Sequence, residues 1–257
     1  MQNHQLIKFK DIRNNNILLP SVFFLFLVIT ACSTTKPFSM LSEQQLNYPV
    51  SVGVEIDGEE KINKTRILGK FIYTYQNVGG LTYFSVYLLN HTDIQKGESV
   101  LDIGTGSGVQ AIFAAEKAHR VLATDINESA LKSVLKNAHE YNVADKIIVR
   151  NSDLFNSIKS DEKFDVIISS IPLVWDREQS DWSLYERFFA DAGKYLNPGG
   201  RIYFLAGFLN NIERTKNLIE RNGLKITRLD MAYEISRKLE PMVYVIQHAS
   251  AMNFDMD

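Results

Sequence analysis

The sequence predicts an α/β protein built on a parallel sheet, and three observations predict it. Residues Ser99 to Gly108, reading Ser-Val-Leu-Asp-Ile-Gly-Thr-Gly-Ser-Gly, carry an apolar strand straight into a glycine-dense turn, which is how a parallel α/β sheet builds a nucleotide pocket. A stripe at Ala130, Leu131, Val134, Leu135 and Ala138 repeats at helical spacing and is suited to packing on a sheet. Phe164-Asp165-Val166-Ile167-Ile168-Ser169 is an apolar run of the kind found in a strand covered on both faces.

Each element follows in order. Gly104, Gly106 and Gly108 let the backbone turn tightly and approach a ligand, where a Cβ would clash or forbid the dihedrals. A helix over Val109 to His119 points its N-terminal amides into the same space. Between strand and turn, Asp102 places a carboxylate at the mouth of the pocket, repelling a pyrophosphate and attracting a cationic amino-acid group. The dinucleotide fingerprint G-x-G-x-x-G fails here because Val109 holds its last glycine position, which argues against an NAD(P)-dependent oxidoreductase.

A second strand, Arg120 to Thr124, ends at Asp125, which also opens a helix region from about Glu128 to Tyr141; alone, Asp125 reads as a cap or first-turn acid. A third strand, Lys146 to Arg150, leads to Asn151-Ser152-Asp153-Leu154-Phe155, which by itself is a turn. After the fourth strand, Phe164 to Ser169, a helix from Asp181 to about Leu196 should stop at Asn197-Pro198-Gly199-Gly200. A fifth strand, Arg201 to Ala206, then a polar helix near Asn211 to Arg221 closed by Asn222-Gly223, complete the alternation. Leu224 to Ile235 and Met242 to His248 read as two final strands joined by a charged turn.

From Ser99 onward the chain resembles the class I S-adenosylmethionine-dependent methyltransferases, whose D-x-G-x-G-x-G loop is matched residue for residue by Asp102 to Gly108. The resemblance implies a Rossmann-like seven-stranded methyltransferase sheet of order 3-2-1-4-5-7-6, closed by an antiparallel hairpin. It also implies S-adenosylmethionine as cofactor, over the carboxyl ends of strands one, two and four. Asp102, Gly104, Thr105, Gly106 and Gly108 would form the cofactor loop. Asp125 would meet the ribose hydroxyls with Ile126 beside it, and Asp153 would accept from the adenine amino group with Leu154 beside it.

The loop after the fourth strand resembles a subgroup that methylates planar nitrogens, of release-factor glutamine or of guanine and adenine in RNA and DNA. There the strand precedes Asn-Pro-Pro-Tyr, whose amide and a backbone carbonyl accept from the target NH₂ while the ring stacks on it. Here Ser170, Ile171, Pro172 and Leu173 occupy those places, so the amide acceptor, one proline and the aromatic are replaced. Ser170 and Pro172 are the candidate catalytic residues. Trp175 or Tyr185 could supply a ring from a displaced position; alternatively Trp175 and Trp182 simply cover the sheet or a loop. The methyl acceptor stays open among protein, RNA and small molecule. A sulfonium methyl is already activated, so positioning does most of the catalysis, worth on the order of 7 to 11 kcal/mol. No metal is expected, since the five His residues show no ligand spacing with a carboxylate or thiolate.

Upstream, Ser51 to Lys61 alternates around Asp57-Gly58, a hairpin signal. Tyr73-Thr74-Tyr75, Gly79-Gly80 and Tyr83-Phe84-Ser85 form either an aromatic lid over the cofactor, as in the resembling enzymes, or, from Tyr83 to Asn90, a helix covering the first strand. Lys8, Lys10 and Arg13 precede an apolar run from Ile17 to Ile29, and Val28-Ile29-Thr30-Ala31 leads into Cys32. That is the layout of a secretory signal peptide, and it resembles a bacterial lipoprotein cleavage site with Cys32 as the lipidated residue. An uncleaved membrane anchor or an unstructured leader are the alternatives, the run being short of the roughly 20 residues a span needs. The chain thus divides into residues 1–32, signal peptide or anchor; 33–75, a Ser-Thr-Thr-Lys-Pro tether and a hairpin extension; and 76–257, the methyltransferase domain.

At 257 residues the chain holds one domain with a sizeable core. A net charge of −2 with mixed signs excludes a protein-wide field for nucleic acid. One cysteine excludes an internal disulfide. Positive charge before the apolar run sends the domain outward, although S-adenosylmethionine is kept inside cells. The chain is therefore expected either at a membrane through its N-terminus or in the cytoplasm, and either as an enzyme or as a tethered, catalytically silent binding protein on the same scaffold.

Overall fold

In the computed structural model, residues 49–173, 181–207, 211–232 and 241–249 are described. Strands whose two faces are both apolar build the centre. In β4 (Ser99–Ile103), Leu101 and Ile103 join one buried cluster while Val100 joins the other. The same division holds in β7 (Phe164–Ser169), with Ile167 opposite Val166 and Ile168, and in β8 (Leu196–Ala206), with Ile202 and Phe204 opposite Tyr203 and Leu205. A strand apolar on both faces must be covered on both. One face is covered by α1 (Tyr83–His91), α2 (Val109–Ala115) and α3 (Glu128–Glu140), through Leu88, Ala111, Ile112, Val134 and Ala138. The other is covered by α4 (Ser183–Ala192) and α5 (Ile212–Arg221), through Tyr185, Phe188, Phe189, Leu218 and Ile219.

With β5 (Arg120–Asp125), β6 (Ile147–Asn151), β9 (Leu224–Met231) and β10 (Met242–His248), the described residues form a seven-stranded sheet of order β6-β5-β4-β7-β8-β10-β9. Counted within this sheet the order is 3-2-1-4-5-7-6, as the resemblance implies. β10 runs antiparallel to both β8 and β9, and the other pairs are parallel. The chain leaves β4 in one direction for β5 and later returns to its other side as β7, so a crevice opens beyond the carboxyl ends of β4 and β7.

Several boundaries differ from those the sequence predicts. α2 stops at Ala115 and not His119, because the His119 amide donates to the Glu98 carbonyl (2.9 Å) and the Gly97 amide to the Lys117 carbonyl (3.1 Å), which captures the chain for β5. α4 ends at Ala192 and not Leu196, followed by a single 3₁₀ turn at Gly193–Tyr195. Asn197-Pro198-Gly199-Gly200 lies inside β8, whose pairing with β7 jumps from Leu196 to Arg201. The breaker is thus absorbed as a bulge within the strand, whose predicted start at Arg201 is too late. β9 ends at Met231, and Ile235 lies outside the described residues.

The N-terminal extension holds one strand more than the hairpin expected. β1 (Val50–Asp57) and β2 (Glu60–Ile67) pair as predicted, and β3 (Lys70–Tyr75) extends them to a three-stranded meander. Leu68 and Gly69, both at positive φ (46° and 83°), turn β2 into β3, as a two-residue hairpin loop requires. Tyr73-Thr74-Tyr75 is therefore strand and not lid.

β3 is joined to α3 by side chains that stand in for a partner strand. The Phe71 amide donates to the Tyr141 hydroxyl (2.6 Å), the Tyr73 amide to Asn137 Oδ1 (2.8 Å) and the Tyr75 amide to Ser133 Oγ (3.0 Å). Four residues of helix rise about 6 Å and two residues of strand about 6.7 Å, so positions 133, 137 and 141 stay in step with 75, 73 and 71. Asn137 Nδ2 donates to the carbonyls of both Tyr73 (2.8 Å) and Ser107 (2.9 Å), which ties the extension to the glycine turn. Asn137 is fully buried. Asn137→Ala should therefore destabilise the protein by about 3 kcal/mol, by leaving buried backbone groups without partners. Urea denaturation with an unchanged m-value is the measurement that checks it.

Candidate functional site

The crevice holds a cavity of about 910 Å³ lined by the ends of β4, β5 and β7, the loop after β6 and the start of α1. The glycine turn forms its floor. The Gly104 and Thr105 amides both donate to the Thr124 carbonyl (2.9 and 3.0 Å), and the Gly106 amide donates to Asp125 Oδ2 (2.9 Å). Gly108, at φ +80°, must be glycine twice over: a Cβ there would lie 2.9 Å from Val134 Cγ2 and 3.1 Å from its Cα, where α2 meets α3. Gly106, at φ +54°, instead faces the cavity, and an added Cβ would meet only Val78 Cγ1 at 4.0 Å. Gly108 serves packing and does not itself line the cavity; Gly104, Thr105 and Gly106 do.

Asp102 lines the cavity, as expected of the carboxylate between strand and turn, but it sits deep in the wall. It is 1% exposed, held at the end of β4 beneath the turn that immediately follows it. Thr105 Oγ1 donates to its Oδ2 at 2.7 Å, whereas Oδ1 is buried and completes no hydrogen bond. The Ala111 amide lies near enough to favour the charged form without closing a bond to Oδ1. Burial pushes the Asp102 carboxyl up to about 7, the Thr105 hydroxyl and Ala111 amide oppose this, and the Asp125 charge adds to it.

Asp125 stands at the end of β5, with Oδ1 accepting from the Asn127 amide (2.9 Å) and Oδ2 from Gly106. The acid therefore fixes the glycine turn as well as facing the cavity. Ile126, next in the chain, is 68% exposed yet lines the cavity, an apolar side chain held at a pocket wall. Leu154, which also lines the cavity, is buried at φ +49°, and Ser152 Oγ donates to its carbonyl at 2.8 Å. Asp153 lines the rim but is also engaged elsewhere, since Arg187 Nη2 on α4 donates to its Oδ2 at 2.6 Å. Ser170, Ile171, Pro172 and Leu173 line the side beyond β7.

Tyr185 does not reach that loop as a stacking ring. It is buried edge-on against Phe204 (4.9 Å between centroids, 88°) and Trp182 (5.5 Å, 75°), so both rings serve the core beneath α4. Trp175 and Cys32 lie outside the described residues. Among the described residues no three His, Cys, Asp or Glu cluster as metal ligands.

Gly79 to Ser85, which the sequence offers as a lid over the cofactor or as part of a helix, line the cavity as the approach to α1 and its first turn, so this segment forms the expected helix and a pocket wall at once. One part of the wall carries no sequence signal of its own: Gln110 lines it from α2, beyond the last glycine of the motif. A residue on a short helix looks ordinary until the fold brings its neighbours together.

Known proteins resemble this chain in sequence and in fold. A ribosomal protein L11 methyltransferase of Halalkalibacterium halodurans is 36% identical over 52% of this chain and 39% of its own. A release factor glutamine methyltransferase of Streptococcus pneumoniae is 32% identical over 48% of this chain and 50% of its own. The chain thus spans half or less of the length of these two relatives. The solved structure of a ribosomal protein L11 methylase from Lactobacillus delbrueckii shares the fold, with a TM-score of 0.52 at 23% identity, covering 65% of this chain and 77% of that one. Residues 79–223, more than half of the chain and containing every described element from α1 to α5, match the family model of the methyltransferase small domain. The chain belongs to that methyltransferase family.

Proposed function

We propose that the chain is an S-adenosylmethionine-dependent methyltransferase, and the observation that carries the reading is the buried, half-partnered Asp102 carboxylate on the cavity wall. An ionised carboxylate withdrawn from water without a counter-charge is costly, so the group that best completes Asp102 is a cation with N–H donors. The residues present fit the cofactor: Asp102 for its ammonium, the open face of Gly106 for close approach, Asp125 for the ribose, Ile126 and Leu154 for the faces of the adenine and Asp153 for its amino group. When bound, S-adenosylmethionine supplies a sulfonium methyl already activated for displacement. The chain's own work is to hold the two reactants in line and to exclude water, and Ser170 and Pro172 bound the place where an acceptor would enter. Ser170 Oγ can accept one hydrogen bond from an acceptor N–H, where the Asn of the resembling loop offers an amide oxygen and a longer reach.

The relatives named for ribosomal protein L11 and for release factors support a protein acceptor. Transfer of labelled methyl from S-adenosylmethionine into a fractionated lysate tests both points. Label in a protease-sensitive band is expected, label in RNA would overturn the protein assignment, and cofactor binding without any transfer would favour the silent scaffold. The leader pattern of residues 1–32 supports a lipid anchor at Cys32. Protein made in a bacterium fed an alkyne fatty acid should carry the label, and Cys32→Ser should lose it; an intact Met1 in the soluble fraction would refute the anchor.

The raised Asp102 gives the binding a direction with pH. Only the carboxylate pairs with an ammonium, so affinity for S-adenosylmethionine should rise as pH climbs toward about 7 and level off above it. Stability runs the other way: the folded state holds this proton more tightly than the unfolded chain, so unfolding releases it between pH 3.8 and about 7, and the ligand-free protein loses stability as pH rises through that window. Calorimetry and thermal melts on Asp102→Asn at pH 8 check both signs. A higher melting temperature without ligand and lost affinity are expected together.

A further inference from the structure

Asp102 is one of two acceptors that the cavity wall leaves unmatched. Gln110, the second residue of α2, is 4% exposed and lines the same cavity. Its Nε2 donates to the Ser85 carbonyl on α1 at 3.0 Å, and that bond settles which end of the amide is nitrogen. Oε1 is left buried with no hydrogen-bond partner. Buried polar atoms are almost always satisfied, and here two of them, Gln110 Oε1 and Asp102 Oδ1, belong to residues that line one cavity. Two acceptors call for a group with at least two N–H donors. A primary ammonium carries three and a hydroxyl only one, and the carboxylate adds the preference for positive charge.

We propose that Gln110 is a specificity-determining residue whose Oε1, together with the Asp102 carboxylate, accepts hydrogen bonds from the α-ammonium of the methyl donor. The proposal rests on the methyl-donor reading and adds to it the residue that selects the amino-acid half of that molecule. The other end of the same amide holds α1, so the recognition of the ammonium and the position of the Ser85 segment of the wall are set by one side chain.

The test is calorimetric binding at pH 8, on the full chain, of S-adenosylmethionine, S-adenosylhomocysteine and 5′-methylthioadenosine, the last of which keeps the nucleoside and thioether but lacks the amino-acid half, ammonium and carboxylate together. Gln110→Leu should weaken the first two by at least about tenfold and leave the third unchanged. Retained binding of the third also shows that the variant is folded. Gln110→Glu keeps an acceptor while losing the donor to Ser85, and should keep the preference for the two ligands that carry an ammonium. Equal weakening of all three ligands by Gln110→Leu would reduce Gln110 to a brace for α1 and overturn the proposal, as would three unchanged affinities. Wild-type protein that binds none of the three would defeat the methyl-donor reading itself, whereas wild-type binding with indifferent Gln110 variants defeats this proposal alone.

Discussion

A carboxylate held out of water at the end of β4, with one oxygen matched and the other not, is the constraint from which the rest of this structure follows. It exists because the strand that carries Asp102 is buried along its whole length and because the turn above it folds back over the side chain. Such a group weakens the ligand-free protein, and a cation that completes it returns the lost stability on binding. Sites tuned for ligands commonly carry this kind of cost, and here it is confined to the innermost part of the cavity.

The turn that creates this environment is braced from two directions. From below, the Thr124 carbonyl accepts from two successive amides, and Asp125 takes a third from Gly106. From the side, Asn137 reaches the Ser107 carbonyl while holding both backbone groups of Tyr73. The extension is therefore tied directly to the glycine turn that lines the cavity. Its third strand satisfies its outer backbone groups with helix side chains, which also protects an edge that would otherwise be open to pairing with another chain.

Much of this was legible in the sequence, and for identifiable reasons. The apolar runs of β4, β5 and β7 and the stripe on α3 fix layers and periods, because burial on two faces leaves no other pattern. The glycine turn and Asp102 fix the crevice, because only glycine tolerates those dihedrals and that contact with Val134. Other features were hidden because they depend on partners distant in the chain. Ser133, Asn137 and Tyr141 look like polar interruptions of a helix until β3 lies beside them, and Gln110 looks like any surface amide until α1 covers it. The depth of Asp102 is hidden for the same reason: how far a residue beside a turn is buried depends on the turn's return path. Asn197 to Gly200 reads locally as a break, but pairing with β7 on either side keeps it within one strand.

The two ends of the cavity differ in rigidity, and the difference bears on catalysis by positioning. At the rim, the Asp153–Arg187 pair is about half exposed, and an ion pair of that kind contributes about 0 to 1 kcal/mol and exchanges readily. At the inner end, the Thr105–Asp102 hydrogen bond is buried. Ile171, in the loop after β7, packs so closely on the glycine turn that a Cβ added at Gly104 would lie 3.2 Å from its Cγ2. The glycine turn and the loop after β7 are thus one packed piece, and their separation is set by van der Waals contact. A displacement reaction whose rate depends on the alignment of two reactants needs that separation to be fixed. If methyl transfer is the reaction, the replacement of the resembling loop's Asn, Pro and Tyr by Ser170, Ile171 and Leu173 alters the groups offered to an acceptor, while the packing of Ile171 on Gly104 keeps the loop and the turn together.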